Sequence, residues 1–140
     1  MGISTQPIYL AFKNMQELKM TLISSIYDYL KAEFYSKKTT GNAFIDFGIN
    51  SITFAQQNRE LFLALYVDQH EYSGKMKQRS FELFTNFLDA YELEEELSAE
   101  KMQEVHLNVW IVATGIASLR LSGIIQPSEK QMIDLLTLAV

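Results

Sequence analysis

From Val105 to Leu121 the chain reads VHLNVWIVATGIASLRL, with His106, Asn108, Thr114, Ser118 and Arg120 as its polar residues. Wound at about 100° per residue, these five scatter around the helix and leave no polar face. A helix that is apolar all round is either buried on several sides or crosses a membrane. Arg120 and Asn108, and a run of roughly 17 residues where about 20 are needed, exclude the bilayer. One side of this helix should therefore face the chain's own core and another a partner. Ala113, Ala117 and Gly123 are small enough for close helix approach. The last helix repeats the pattern with Met132, Ile133, Leu135, Leu136 and Leu138. A seam between two copies is expected through Ala113, Ala117, Leu121, Met132, Ile133 and Leu136. The same pattern also suits a central helix of a monomer.

The rest of the chain carries helical spacing and helical caps. Leu18, Leu22, Ile26, Tyr29, Leu30 and Phe34 recur at three- and four-residue steps and predict a helix from about Met15 to Lys37. Asn42 is placed to cap a helix from Ala43 to Gln57, and Asn58 a shorter one through Leu61, Phe62, Leu65 and Tyr66. After the polar break Asp68–Gly74, Phe81, Phe84, Leu88 and Tyr91 share a stripe with Phe87 alongside. Ser98 starts the long apolar helix, which ends near Gly123. Ser128 starts the last, with Gln131 completing a capping box. No stretch alternates as a strand would. At 140 residues and 48% hydrophobic content, the expectation is one all-α body with a real core.

Several function classes are disfavoured. No cysteine is present, which removes disulfides and thiolate metal sites and fits a cytoplasmic setting. Residues 1–30 lack the basic start and unbroken apolar run of a signal peptide. His70 and His106 lie far apart with no metal-ligand spacing, and Gln103 stands where a di-iron bundle's Glu-x-x-His motif needs a carboxylate. The glycines form no phosphate-binding loop. Glu92, Glu94, Glu95 and Glu96 suit a solvated helix end. Neither an enzyme nor a cofactor or metal is expected. Net charge is −5, unevenly spread: residues 1–38 carry five lysines against three acids, and residues 68–104 ten acids against four bases. The basic end is the one suited to phosphates.

The first residues, MGISTQPIYLAFKNMQELK, describe a short helix, a break and the start of a longer helix. Ser4 is a good N-cap, Pro7 falls in the first turn, and Ile8 and Phe12 share one face. Lys13 suits the helix end, and Asn14 with Glu17 forms the next cap. Gly2, Ile3, Ser4, Ile8, Tyr9, Phe12, Glu17 and Leu18 together resemble the recognition helix, and the start of the following helix, in the tetracycline-repressor family of transcription regulators. Ala11 stands where that family often has His, and Met15 where it has a basic residue. Trp110 followed by Thr114–Gly115–Ile116–Ala117 resembles a motif of the family's penultimate helix, with Thr114 in place of His. The stretch Phe54–Phe62 resembles its turn between two middle helices.

The resemblance implies a remnant of a helix-turn-helix at 1–14 and an effector-binding, dimerising helical body at 15–140. It implies DNA contacts from Ser4, Thr5, Gln6, Tyr9 and Lys13, and operator DNA as the partner of a full-length form. Helices that would brace the reading helix are not seen before Gly2, so this chain alone is not expected to bind a specific site. The body would be a homodimer, a repressor-type regulator whose pocket holds a small apolar or aromatic effector. Phe47, Phe54, Phe62, Tyr66, Phe84, Phe87 and Trp110 are its candidate lining, although aromatics at such spacing also build ordinary cores. A second reading is a helical dimerisation or interaction protein with no DNA role of its own.

Overall fold

The structure, a computed structural model, describes residues 15–140. The expected DNA contacts at Ser4, Thr5, Gln6, Tyr9 and Lys13 lie outside the described residues. Among the described residues the fold is all-helical, without a strand, and no helix is long and apolar enough to cross a membrane.

Helix α1, Met15–Glu33, buries Ile23, Tyr27 and Leu30, one helical stripe at steps of four and three. That stripe differs from the expected one: Leu22 and Tyr29 stay largely exposed. Nor does α1 reach Lys37. The backbone N–H groups of Phe34 and Tyr35 both donate to the Leu30 carbonyl, at 2.9 and 3.0 Å. This loosened turn lets two adjacent rings, which a regular helix would splay apart, enter the core together.

The following loop is fastened by helix α2, Ala43–Gln57. Asn42 caps α2 as expected, accepting from the N–H groups of Phe44 and Ile45 at 3.0 and 3.2 Å. One turn further, the buried Asp46 carboxylate accepts from the backbone of Thr39, Thr40 and Gly41, the Thr40 hydroxyl and the Tyr91 phenol. Gly41 takes φ +85°, a conformation that glycine reaches without steric cost. The helix wrapped on most sides is α2, in which Ala43, Ile45, Phe47, Gly48, Ile52, Phe54 and Ala55 are all buried with Asp46 and Asn50.

Helix α3, Arg59–Phe62, passes directly into a π-helical turn, Leu63–Val67. Asn58 does not cap it by its side chain. Its backbone N–H closes α2 on Phe54, and its amide reaches the Tyr29 hydroxyl at 3.4 Å. His70 organises the next loop: its Nδ1 accepts from the Tyr72 N–H, so Nε2 carries the proton and donates to the Leu65 carbonyl at 3.0 Å. Helix α4, Ser73–Leu88, then buries Met76, Ser80, Leu83, Phe84, Phe87 and Leu88.

Helix α5, Ala99–Leu121, starts at the Ser98 cap and stops where Gly123 turns to φ +74°. The N–H of Ile124 donates back to the Leu119 carbonyl at 3.0 Å, closing the helix end. Its buried face is Val105, His106, Val109, Ala113, Ile116 and Ala117, packed along α2. Helix α6, Glu129–Ala139, opens with the expected Ser128–Gln131 capping box and packs on α2 and α5. At that crossing Gly48 lies so near Leu136 that a Cβ on the glycine would meet Leu136 Cδ2 at 2.5 Å.

Candidate functional site

Aromatic rings crowd the space between α2, the α3 end and α5. Phe34 meets Phe54 (5.4 Å between centroids), Phe54 meets Phe62 (6.3 Å), Phe62 meets Tyr66 (6.2 Å), and Tyr66 meets Trp110 edge-on (5.5 Å, 79°). Trp110 stacks on His106 (5.5 Å, 24°), which touches Phe84 (5.2 Å); Phe84 then meets Phe47 (5.0 Å), and Phe47 meets Tyr35 (5.0 Å). A chain of ring contacts therefore leaves the loosened turn at Phe34 and returns to it at Tyr35.

Within this ring lies a small chamber of about 10 Å³, lined by Tyr35, Ser51, Phe54, Phe62, Tyr66, Trp110, Ala113 and Thr114. Its polar groups are hydroxyls. Those of Tyr35 and Ser51 share a hydrogen bond at 2.7 Å, and that of Tyr66 is tied to the hydroxyl of Tyr27 on α1 at 2.8 Å. Burial pushes the Tyr27 phenol up to about 12 and raises Tyr66 well above its ordinary value, so both are neutral near pH 7. Beside the chamber an open cleft of about 300 Å³ is lined by Leu65, Tyr66, Val67, Asp68, Gln69, Ser73, Met76 and Trp110.

Four expected pocket residues, Phe54, Phe62, Tyr66 and Trp110, therefore meet around one space. The other three do not line it. Phe47, Phe84 and Phe87 are buried and packed against each other, Tyr35 and His106, which makes them core. Apart from Tyr66, the tyrosines and hydroxyls were not foreseen. Tyr35, Ser51 and Thr114 supply the chamber's polarity, and Tyr27 latches Tyr66. The available signal was the phenols Tyr27 and Tyr35, polar-tipped side chains near a buried stripe that would need partners inside.

Three of the six residues expected at a seam face inward instead. Ala113 and Ala117 share a helical face with Val109 and Ile116, and all are buried in the chain's own core, as is Leu136, which packs against Gly48 of α2. Leu121, Met132 and Ile133 are half-buried against the same core. The apolar side chains of α5 and α6 left to solvent are Ile111 (60% exposed), Leu119, Leu135 and Leu138 (84% exposed), and Gly115 lies between the first two with open space at its Cβ position.

His106 is enclosed by Phe47, Phe81, Phe84 and Trp110, with Nε2 3.0 Å from the Ser80 hydroxyl. Burial, aided by the charge of Lys77, lowers its pKa to about 4. A histidine whose folded pKa lies below its unfolded value of 6.5 binds a proton more readily in the unfolded chain. Stability should therefore fall as pH drops from 6.5 toward 4. Denaturant titrations across that window should show a slope that His106→Phe removes; an unchanged slope would assign it to other groups.

Among the described residues no three His, Cys, Asp or Glu side chains gather as metal ligands. The chain matches no family model, no curated protein and no solved structure. Its architecture defines it as an all-helical body with an aromatic, hydroxyl-bearing chamber.

Proposed function

We propose that residues 15–140 form the effector-binding and dimerisation body of a tetracycline-repressor-type transcription regulator. The chamber takes a small aromatic molecule, and two copies associate through α5 and α6. One observation carries the reading: α5 serves both surfaces at once. Trp110, Ala113 and Thr114 line the chamber, while Ile111 and Leu119, on another side of the same rod, present apolar side chains to solvent. A ligand that moves α5 would then alter how two copies meet. Tyr27, bonded to Tyr66, ties the same chamber to α1, the helix that follows the segment resembling a recognition helix. A repressor body needs this coupling, since effector and DNA must act through one two-state element.

Sedimentation of the full chain should give a dimer at micromolar concentration. Ile111→Glu places a charge at the exposed apolar face of each copy and should give a monomer of unchanged helicity. Ala117→Glu, by contrast, buries a carboxylate inside the chain and should unfold it. A compact wild-type monomer would overturn the dimer reading.

A further inference from the structure

A chamber of about 10 Å³ holds at most one water molecule, so any ligand must displace a side chain. Tyr66 and Trp110 are the two residues that line both the chamber and the open cleft. Tyr66 is the one on the π-helical turn, a wide winding that is rare and recurs at functional sites. Its ring contacts Phe62 and Trp110 edge-on, and its hydroxyl meets Tyr27. The place beside Trp110 is therefore already shaped for a phenol, with aromatic edges on two sides and a hydroxyl partner at the far end.

We propose that Tyr66 is a resident phenol that closes the chamber, and that the ligand is a small neutral phenol which replaces it against Phe62, Trp110 and Tyr27. This rests on the reading of the chain as a ligand-binding body. The π-helical turn swings Tyr66 into the cleft, where about 300 Å³ is open to receive it. Leaving costs Tyr66 its bond to Tyr27, and the hydroxyl of the incoming phenol restores that bond. A hydrocarbon of the same shape leaves the Tyr27 hydroxyl without its phenol partner. A carboxylate would be stranded, because every side chain lining the chamber is neutral.

The test uses the full chain with para-cresol, toluene and benzoate, read by melting temperature and by the emission of Trp110, the single tryptophan. Para-cresol should raise the melting temperature in step with the logarithm of its concentration and change Trp110 emission. Toluene should bind about tenfold more weakly, the worth of roughly one net hydrogen bond, and benzoate should not bind. Tyr66→Phe keeps the ring and drops the latch, so para-cresol should bind about fivefold more tightly. Tyr27→Phe should abolish the preference for para-cresol over toluene. Equal binding of para-cresol and toluene by the wild type overturns the proposal. So does binding of para-cresol by Tyr66→Ala alone, since that cavity would be made by the truncation. Binding of some other compound class with para-cresol silent overturns the resident phenol and keeps the ligand-binding body. Silence across a broad apolar library overturns both.

Discussion

Asp46→Ala should lower the stability of the fold by about 3 kcal/mol, a fall in melting temperature of roughly 10 °C for a chain of this size. The carboxylate is fully buried and accepts five hydrogen bonds, of which the two shortest are the hydroxyl bonds from Thr40 and Tyr91, both 2.7 Å. Alanine takes a shared, charged acceptor from all five donors, and bonds to a charged group are the stronger kind; water reaching the exposed Thr39, Thr40 and Gly41 offsets only part of the loss. Burial alone would raise the carboxyl pKa, but the bonds from Thr40, Tyr91 and Thr39 outweigh it and hold the group below 3.8. The sign follows from that direction. A folded pKa below the unfolded one gives stability that is present above 3.8 and is lost as pH falls through the folded value. Chemical denaturation should show this acid loss in the wild type and a flatter profile in Asp46→Ala. An alanine variant as stable as the wild type would show that the loop between α1 and α2 is held by something else.

Two residues further along α2, Gly48→Ala should cost about 2 kcal/mol, since the new Cβ collides with a fully buried leucine. The three atoms nearest the new Cβ all belong to Leu136, so the sign should depend on that residue. In a Leu136→Ala background, itself about 3 kcal/mol less stable, Gly48→Ala should be neutral or stabilising by up to about 1 kcal/mol. There the collision is gone and the helix propensity of alanine remains. A double-mutant cycle by urea denaturation measures the coupling directly. Additive costs would mean that α6 does not dock on Gly48.

The contrast between these two residues shows what was legible beforehand. Caps act locally, over three residues, so Asn42, Ser98 and the Ser128–Gln131 box could be read from the chain and place three helix starts correctly. Gly48 acts through a partner far along the chain, Leu136, and Asp46 joins its neighbouring loop to the equally distant Tyr91; nothing local marks either long-range contact. The long apolar helix was expected to turn one side to the chain's own core, and Val105, Val109, Ala113 and Ile116 form that side. Small residues suggested an outer seam, whereas Ala113 and Ala117 are buried on the face that packs along α2. The aromatic set likewise pointed to one region while mixing lining with core. Period and composition report that a ring is buried, and only tertiary packing decides which rings leave a space between them.

Helix α1 also has a mechanical property that follows from where it is latched. Tyr27 lies twelve residues from Met15, so the arm between the latch and the start of the helix is about 18 Å long. Between the latch and Met15, the exposed Lys19–Glu71 ion pair is a contact that gives way easily. A tilt of about 10° pivoting at the latch would carry the Met15 end through about 3 Å, while the side chains at the pivot hardly move. The tyrosine pair thus sits at the fulcrum of a lever, and the far end of the rod magnifies whatever happens there.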